Sequence, residues 1–154
     1  MAQEMVVGFQ EALKVYVSIK NAEDAVLEPG KVVEWTATTT DENRGYQVEL
    51  VDTALNTISG IGGGKIAGVV DSTINTAAVG RIQVYGAANV RSSASYDTGN
   101  LVAAGSINAT NQGHVTTVTG SSDNGIGYIS ALVGYTLEAG PNATNASVMI
   151  THCQ

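Results

Sequence analysis

The feature that most constrains this chain is a period of two in its apolar residues. Leu13, Val15, Val17 and Ile19 alternate with Lys14, Tyr16, Ser18 and Lys20. In an extended segment that spacing puts the four aliphatic side chains on one face, because successive side chains of a strand point to opposite sides. Shorter apolar runs follow at 32–36, 46–51, 66–70, 81–85, 101–103, 114–119, 128–135 and 147–151, each bounded by Gly, Pro, Asn or Asp. About nine short strands separated by turn residues, with no stretch long enough for helical crossovers, predict an all-β chain forming one domain, a sandwich or barrel rather than βαβ units. Residues 4–13 and 22–27 have some helical character but are short, which suits an arm and a connecting turn. The chain is accordingly divided into an N-terminal arm, residues 1–12, and one β domain, residues 13–154.

A weak internal repeat runs through the domain. Pro29-Gly30-Lys31-Val32-Val33 is similar to Thr98-Gly99-Asn100-Leu101-Val102, with the two glycines 69 residues apart. Ile66-Ala67-Gly68-Val69-Val70 is similar to Leu132-Val133-Gly134-Tyr135, and Ile82-Gln83-Val84 to Val148-Met149-Ile150, both at an offset of 66. Two pseudo-repeat halves, 29–86 and 98–152, are expected to pair as equivalent sheets of one barrel, since neither alone closes off its edge strands.

Charge bounds the partners. Charged residues make up 14% of the 154, against about 25% in an average soluble chain, and the net charge is −7. Ten of the fourteen acidic residues lie between Glu4 and Asp52, and no Lys or Arg follows Arg91. Nucleic-acid phosphates demand clustered Lys and Arg, so no nucleic-acid partner is expected. No apolar run approaches the ~18 residues of a membrane-spanning helix, and residues 1–14 lack a signal-peptide pattern, which predicts no membrane partner and assembly in a cytoplasm. A lone cysteine, Cys153, leaves no internal disulfide framework. Sequons at Asn108, Asn142 and Asn145 are what so Asn- and Thr-rich a chain produces by composition.

Motifs for chemistry are thin. Gly60-Ile61-Gly62-Gly63-Gly64-Lys65 fails as a phosphate loop, because Ser59 and Ile66 stand where Gly and Ser or Thr are needed. It reads instead as a hairpin tip or interface loop. His114 and His152 have no metal-ligand spacing and are expected on strand surfaces. Glu23-Asp24 and Asp41-Glu42 are adjacent carboxylates, which in a loop point apart and stay solvated. Asp97 precedes a Thr-Gly turn, and Cys153 sits at the chain end beside His152, a poor setting for a nucleophile. The chain is therefore expected not to be an enzyme and to carry no metal or cofactor. Tyr16, Tyr46, Tyr85, Tyr128, Tyr135 and Trp35 fall in the predicted strands, where core or rim packing accounts for them.

The order of turn, strand, Gly-interrupted strand, hairpin and closing strand resembles that of the small head decoration, or cement, proteins of tailed bacteriophages. The resemblance rests on Leu27-Glu28-Pro29-Gly30-Lys31-Val32-Val33, on Ile66-Ala67-Gly68-Val69-Val70 followed by Val79-Gly80-Arg81-Ile82-Gln83-Val84-Tyr85-Gly86, on Tyr96-Asp97-Thr98-Gly99-Asn100-Leu101-Val102, and on the hairpin from Leu132 to Ile150. It implies a single compact β-barrel or β-tulip-like domain that trimerises on the outside of an icosahedral capsid and bridges neighbouring major capsid protein subunits. The chain departs from the shortest such proteins in its longer loops, 36–45 and 108–125, and in its N-terminal stretch. Met5, Val6, Val7 and Phe9 form an apolar cluster in that stretch and, with Ile61 and Lys65 of the Gly-rich loop, are the expected contacts to the shell or to a neighbouring protomer. The competing expectation is a cell-surface or tail-associated module that binds glycan through surface tyrosines and Asn/Thr loops.

Overall fold

The structure is a computed structural model and describes residues 13–36, 46–51, 66–104, 112–118, 132–141 and 145–151. Among these there is no helix and there are nine strands: β1 (Val15–Asn21), β2 (Val32–Trp35), β3 (Gln47–Leu50), β4 (Ile66–Val70), β5 (Val79–Arg91), β6 (Leu101–Ala104), β7 (Val115–Thr117), β8 (Leu132–Thr136) and β9 (Asn145–Ile150). The all-β reading is met, and every predicted apolar run with described residues supplies a strand. Residues 22–27 form a bend that ends in a bridge between Leu27 and Ile74 rather than a helical turn.

Strands β1 to β5 close on themselves. The order β1-β3-β2-β4-β5 is completed by pairing of β1 with β5, and β1 runs parallel to β3 while the other neighbours are antiparallel. The result is a closed five-strand barrel, and closure removes the exposed edges an open sheet would present. The barrel therefore closes within the first half of the chain, not across both halves as the repeat suggested. Ile19, Leu27, Val33, Val48, Ala67, Val70, Ile74 and Ile82 fill it. Each Val, Leu or Ile side chain among them, fully buried, contributes roughly 1.5–3 kcal/mol relative to exposure.

Strand β5 does not stop at Tyr85. It continues through Gly86, whose φ is 94°, to Arg91, and this second stretch pairs with β9, which leads on through β8 and β6 to β7. An isolated parallel bridge from Ser92 to Val115 then brings β7 back beside the end of β5, where the first five strands have the parallel β1–β3 pairing. Thus β5 residues 86–91, β6, β7, β8 and β9 repeat the pairings of β1, β2, β3, β4 and β5 residues 79–85.

The correspondence extends to single residues. Val33 opposes Gly68 and Val102 opposes Gly134, and each ladder shifts register just afterwards. At both glycines the strands approach closely: a Cβ would lie 2.7 Å from the Gln83 carbonyl at Gly68 and 1.8 Å from the Met149 carbonyl at Gly134. Gly30 and Gly99 take φ of 80° and 82° in matching turns, a conformation glycine adopts without steric cost. Their N–H groups donate to the carbonyls of Val70 and Thr136, at 2.9 and 2.8 Å. Buried Asn21 and Ser92 each accept the N–H of the residue two further on, Glu23 at 2.8 Å and Ala94 at 3.3 Å. In the interiors, Ile19, Leu27, Val33, Val48, Ala67 and Ile82 stand where Val90, Tyr96, Val102, Val115, Val133 and Val148 stand in the second set.

Candidate interaction surface

The chain's apparent repeat does not produce two equal surfaces. Directly opposed residues of antiparallel strands point to the same side of a sheet. One outward row of the first set is therefore Val32, Val69, Gln83 and Tyr16, opposed in turn across β2, β4, β5 and β1. Its counterpart in the second set is Leu101, Tyr135, Met149 and Ala87, opposed across β6, β8, β9 and β5. Val32 and Val69 are 0% and 2% exposed, whereas Leu101 and Tyr135 are 49% and 38% exposed.

The difference arises because the second set packs on the first row. Val32, Val51, Ile66 and Val69 share one apolar cluster with Ala88, Val90 and the interior of the second set. Polar groups strap the same junction. Val32 N–H donates to the Gly113 carbonyl at 2.7 Å and Gly113 N–H to the Val51 carbonyl at 3.1 Å. Arg91 N–H donates to the Gly30 carbonyl at 2.9 Å, and its guanidinium forms an ion pair with Glu28 at 2.8 Å. Lys31, 9% exposed, donates from Nζ to the Gln112 carbonyl at 2.6 Å. Burial, then repulsion from Arg91, lowers the Lys31 pKa, with Glu28 acting in the opposite direction. A polar pocket of about 290 Å³ remains beside the junction, lined by Lys14, Gly30, Asp71, Gln83, Asn89 and Asn145 among others.

His114, at the same junction, is half-buried, and its Nδ1 is enclosed without a hydrogen-bond partner. Burial first, and then repulsion from Lys31 and Arg91, holds its pKa below 6.5. It belongs to the packing between the halves rather than to an open strand surface, the position the sequence suggested. Of the paired carboxylates, Glu23 accepts the Leu50 N–H at 2.9 Å, a role in barrel structure. Asp97 lies in the Gly99 turn, where its carbonyl accepts the Thr136 hydroxyl. Among the described residues, no three His, Cys, Asp or Glu side chains are grouped so as to hold a metal ion.

The aromatic residues divide. Tyr96 is buried and donates its hydroxyl to the Asn145 carbonyl at 2.8 Å, and Trp35 packs against the first core. Tyr46, Tyr85 and Tyr135 are exposed, and Tyr85 sits opposite exposed Val15. Of the aliphatic set Leu13, Val15, Val17 and Ile19, only Ile19 is buried. Leu13, which precedes β1, Val15 and Val17 are exposed, Val17 although it opposes buried Ile82, so the alternation there does not by itself mark core. The expected interface residues Met5, Val6, Val7, Phe9, Ile61 and Lys65 lie outside the described residues, as do Tyr128, Asp41, Glu42, His152 and Cys153. The exposed Leu101–Tyr135 row was not anticipated. The available signal was the repeat itself, which aligns apolar Leu101 and Tyr135 with apolar Val32 and Val69 on a face that only one half can cover.

No protein-family model matches the sequence, and no curated protein matches it. Among solved structures the chain is similar in fold to the base of the head fiber protein gp8.5 of bacteriophage phi29, described as the crystal structure of the head fiber gp8.5 N base. The TM-score is 0.55 at 12% sequence identity, over 92% of this chain and 98% of that one.

Proposed function

We propose that this chain is a structural protein of a bacteriophage virion, carried on the outside of the head. In this reading it decorates and stabilises an icosahedral capsid by bridging major capsid protein subunits, and it does so as a trimer. The observation that carries the reading is the shared fold with the base of a phage head fiber over nearly the full length of both chains. A component of this kind performs no chemistry. It holds joints between capsomers by buried apolar area, so outward pressure on the shell has to break its contacts as well. Three copies held together multiply a weak single contact by avidity. The low charge of the second half suits a surface shared with other subunits, because ionic repulsion is what keeps free chains apart.

The proposed shell contacts are Met5, Val6, Val7 and Phe9 of the arm with Ile61 and Lys65 of the Gly-rich loop. Co-sedimentation of the purified chain with shells stripped of it tests the reading. Saturable binding at a fixed number of copies per shell, with reduced occupancy for a folded chain lacking residues 1–12, is the expected result. Shells that ignore the full chain, together with a glycan-array signal lost on substitution of Tyr85 or Tyr135, would replace this reading with the glycan-recognition one.

A further inference from the structure

The junction between the two halves has a receiving side, the Gly30 turn with the Val32–Val69 row, and an inserted side, the β5 stretch Ala88 to Arg91 with Gly113. Among the described residues, each side has an uncovered counterpart on the same chain. On the receiving side, a Cβ at Gly30 would meet the Asn89 carbonyl at 3.2 Å, whereas one at Gly99 meets nothing within 4 Å. Leu101 and Tyr135 are open beside Gly99, as described above. On the inserted side, the pairings put Val17 where Ala88 stands and Lys20 where Arg91 stands. Val17 is 37% exposed against 9% for Ala88, and Tyr46, just ahead of β3 as Gly113 is ahead of β7, is 41% exposed. Charge follows the same correspondence. The ion pair at the internal junction joins Arg91 to Glu28, and their counterparts are Lys20 and Asp97, of the same signs in the same places.

We propose that these two uncovered sides meet between copies, so that the Gly99 turn and the Leu101–Tyr135 row of one copy receive the β1 end of a second copy of this chain, with Lys20 of the second facing Asp97 of the first. Both sides of a working junction are present on one chain, and among the described residues each lacks its partner. The contact is head-to-tail, hence heterologous, and closes into a ring where the rotation per copy allows. A ring of three would be the trimer of the proposed function. The inference rests on that reading for the number of copies only, because the contact itself is argued from this chain's own junction. Apolar Val17, Leu101 and Tyr135 supply the buried area, and the Lys20–Asp97 pair at the rim fixes register and excludes the reversed arrangement.

The test uses the full chain carrying Cys153→Ser, with Lys20→Cys in one preparation and Asp97→Cys in another, and a short bis-maleimide cross-linker. The expected result is a cross-linked dimer in the mixture at about tenfold the yield of either preparation alone. Lys20→Glu and Asp97→Lys should each weaken association about tenfold in sedimentation velocity, and the chain carrying both should recover it. Leu101→Glu should abolish association with an unchanged circular dichroism spectrum. A chain that sediments as a monomer at every concentration, or cross-links that form within a single preparation as readily as in the mixture, would overturn the proposal. Shell binding is scored separately: a monomer that still saturates shells defeats this inference and the trimer of the proposed function, but leaves its shell-decorating role standing. A chain that forms the cross-linked ring but ignores shells does the reverse.

Discussion

The two halves of this protein share strand pairings, register shifts and turn glycines, yet the same row of side chains is core in one and surface in the other. Val32 and Val69 are sealed beneath the second set of strands, while Leu101 and Tyr135, opposed in the same way, remain exposed. Burial at a given position is therefore not a property of the repeat. It depends on what the next unit along the chain covers. The first half has a successor, and the second has none among the described residues.

That contrast is open to a direct break. Val32→Glu should cost more than about 4 kcal/mol and unfold much of the chain, because it places an unpaired carboxylate in a dry cluster. Leu101→Glu, at the equivalent position, should change the free energy of unfolding of the monomer by no more than about 0.5 kcal/mol. Denaturant titration of the two variants at low protein concentration measures both. Similar losses in the two would mean that the rows are not covered differently.

A second comparison concerns how the interiors are filled. Leu27 bridges Ile74 in the first half and Tyr96 bridges Gly140 in the second. The two pairs trade volume: a Cβ at Gly140 would lie 2.2 Å from the Tyr96 hydroxyl oxygen, so the large ring fits only because its partner has no side chain. Tyr96→Leu should cost about 2 kcal/mol through lost volume and the lost bond to Asn145, and Gly140→Ile about 3 kcal/mol through overpacking. Combining them rebuilds the first half's pair and should recover at least about 1 kcal/mol of the sum, read from a double-mutant cycle. Strictly additive losses would show that the pairs are not interchangeable.

Much of this architecture was legible in the residues. Short apolar runs bounded by turn residues identified the strands, and Gly30 and Gly99 marked the turns because few other residues tolerate a φ near 80°. The offset of 66 between Ile66-Ala67-Gly68 and Leu132-Val133-Gly134 follows from the two places where strands approach too closely for a Cβ. What escaped depended on tertiary packing. Gly86-Ala87-Ala88-Asn89 reads locally as a stop, yet β5 runs straight through it, because Ala87 to Arg91 are held by the β9 ladder. Lys31, Glu34 and Gln83 look like surface residues of alternating strands and are buried, Gln83 by donating to the Tyr85 and Ala87 carbonyls at 3.0 Å. Val15 and Val17 look like core and are exposed, Val17 although it opposes buried Ile82.

The smallest expected effect lies at the seam between the halves. His114 has a pKa held below its ordinary 6.5 by burial and by Lys31 and Arg91, so the unfolded chain binds more protons in the window below that value. Its contribution to stability is fully present above pH 6.5 and is lost as pH falls through the lowered folded value. Unfolding free energy measured from pH 7.5 to about 5 should fall less steeply for His114→Gln than for the unsubstituted chain. Parallel profiles would remove His114 from the junction's energetics.

Electron cryomicroscopy of shells decorated with this chain would show the contact between copies in place. The prediction is closed rings of three copies on the outer face of the shell, each with its Leu101–Tyr135 row covered by the β1 end of the next. Bare shells, isolated copies, or rings in which that row faces solvent would contradict it.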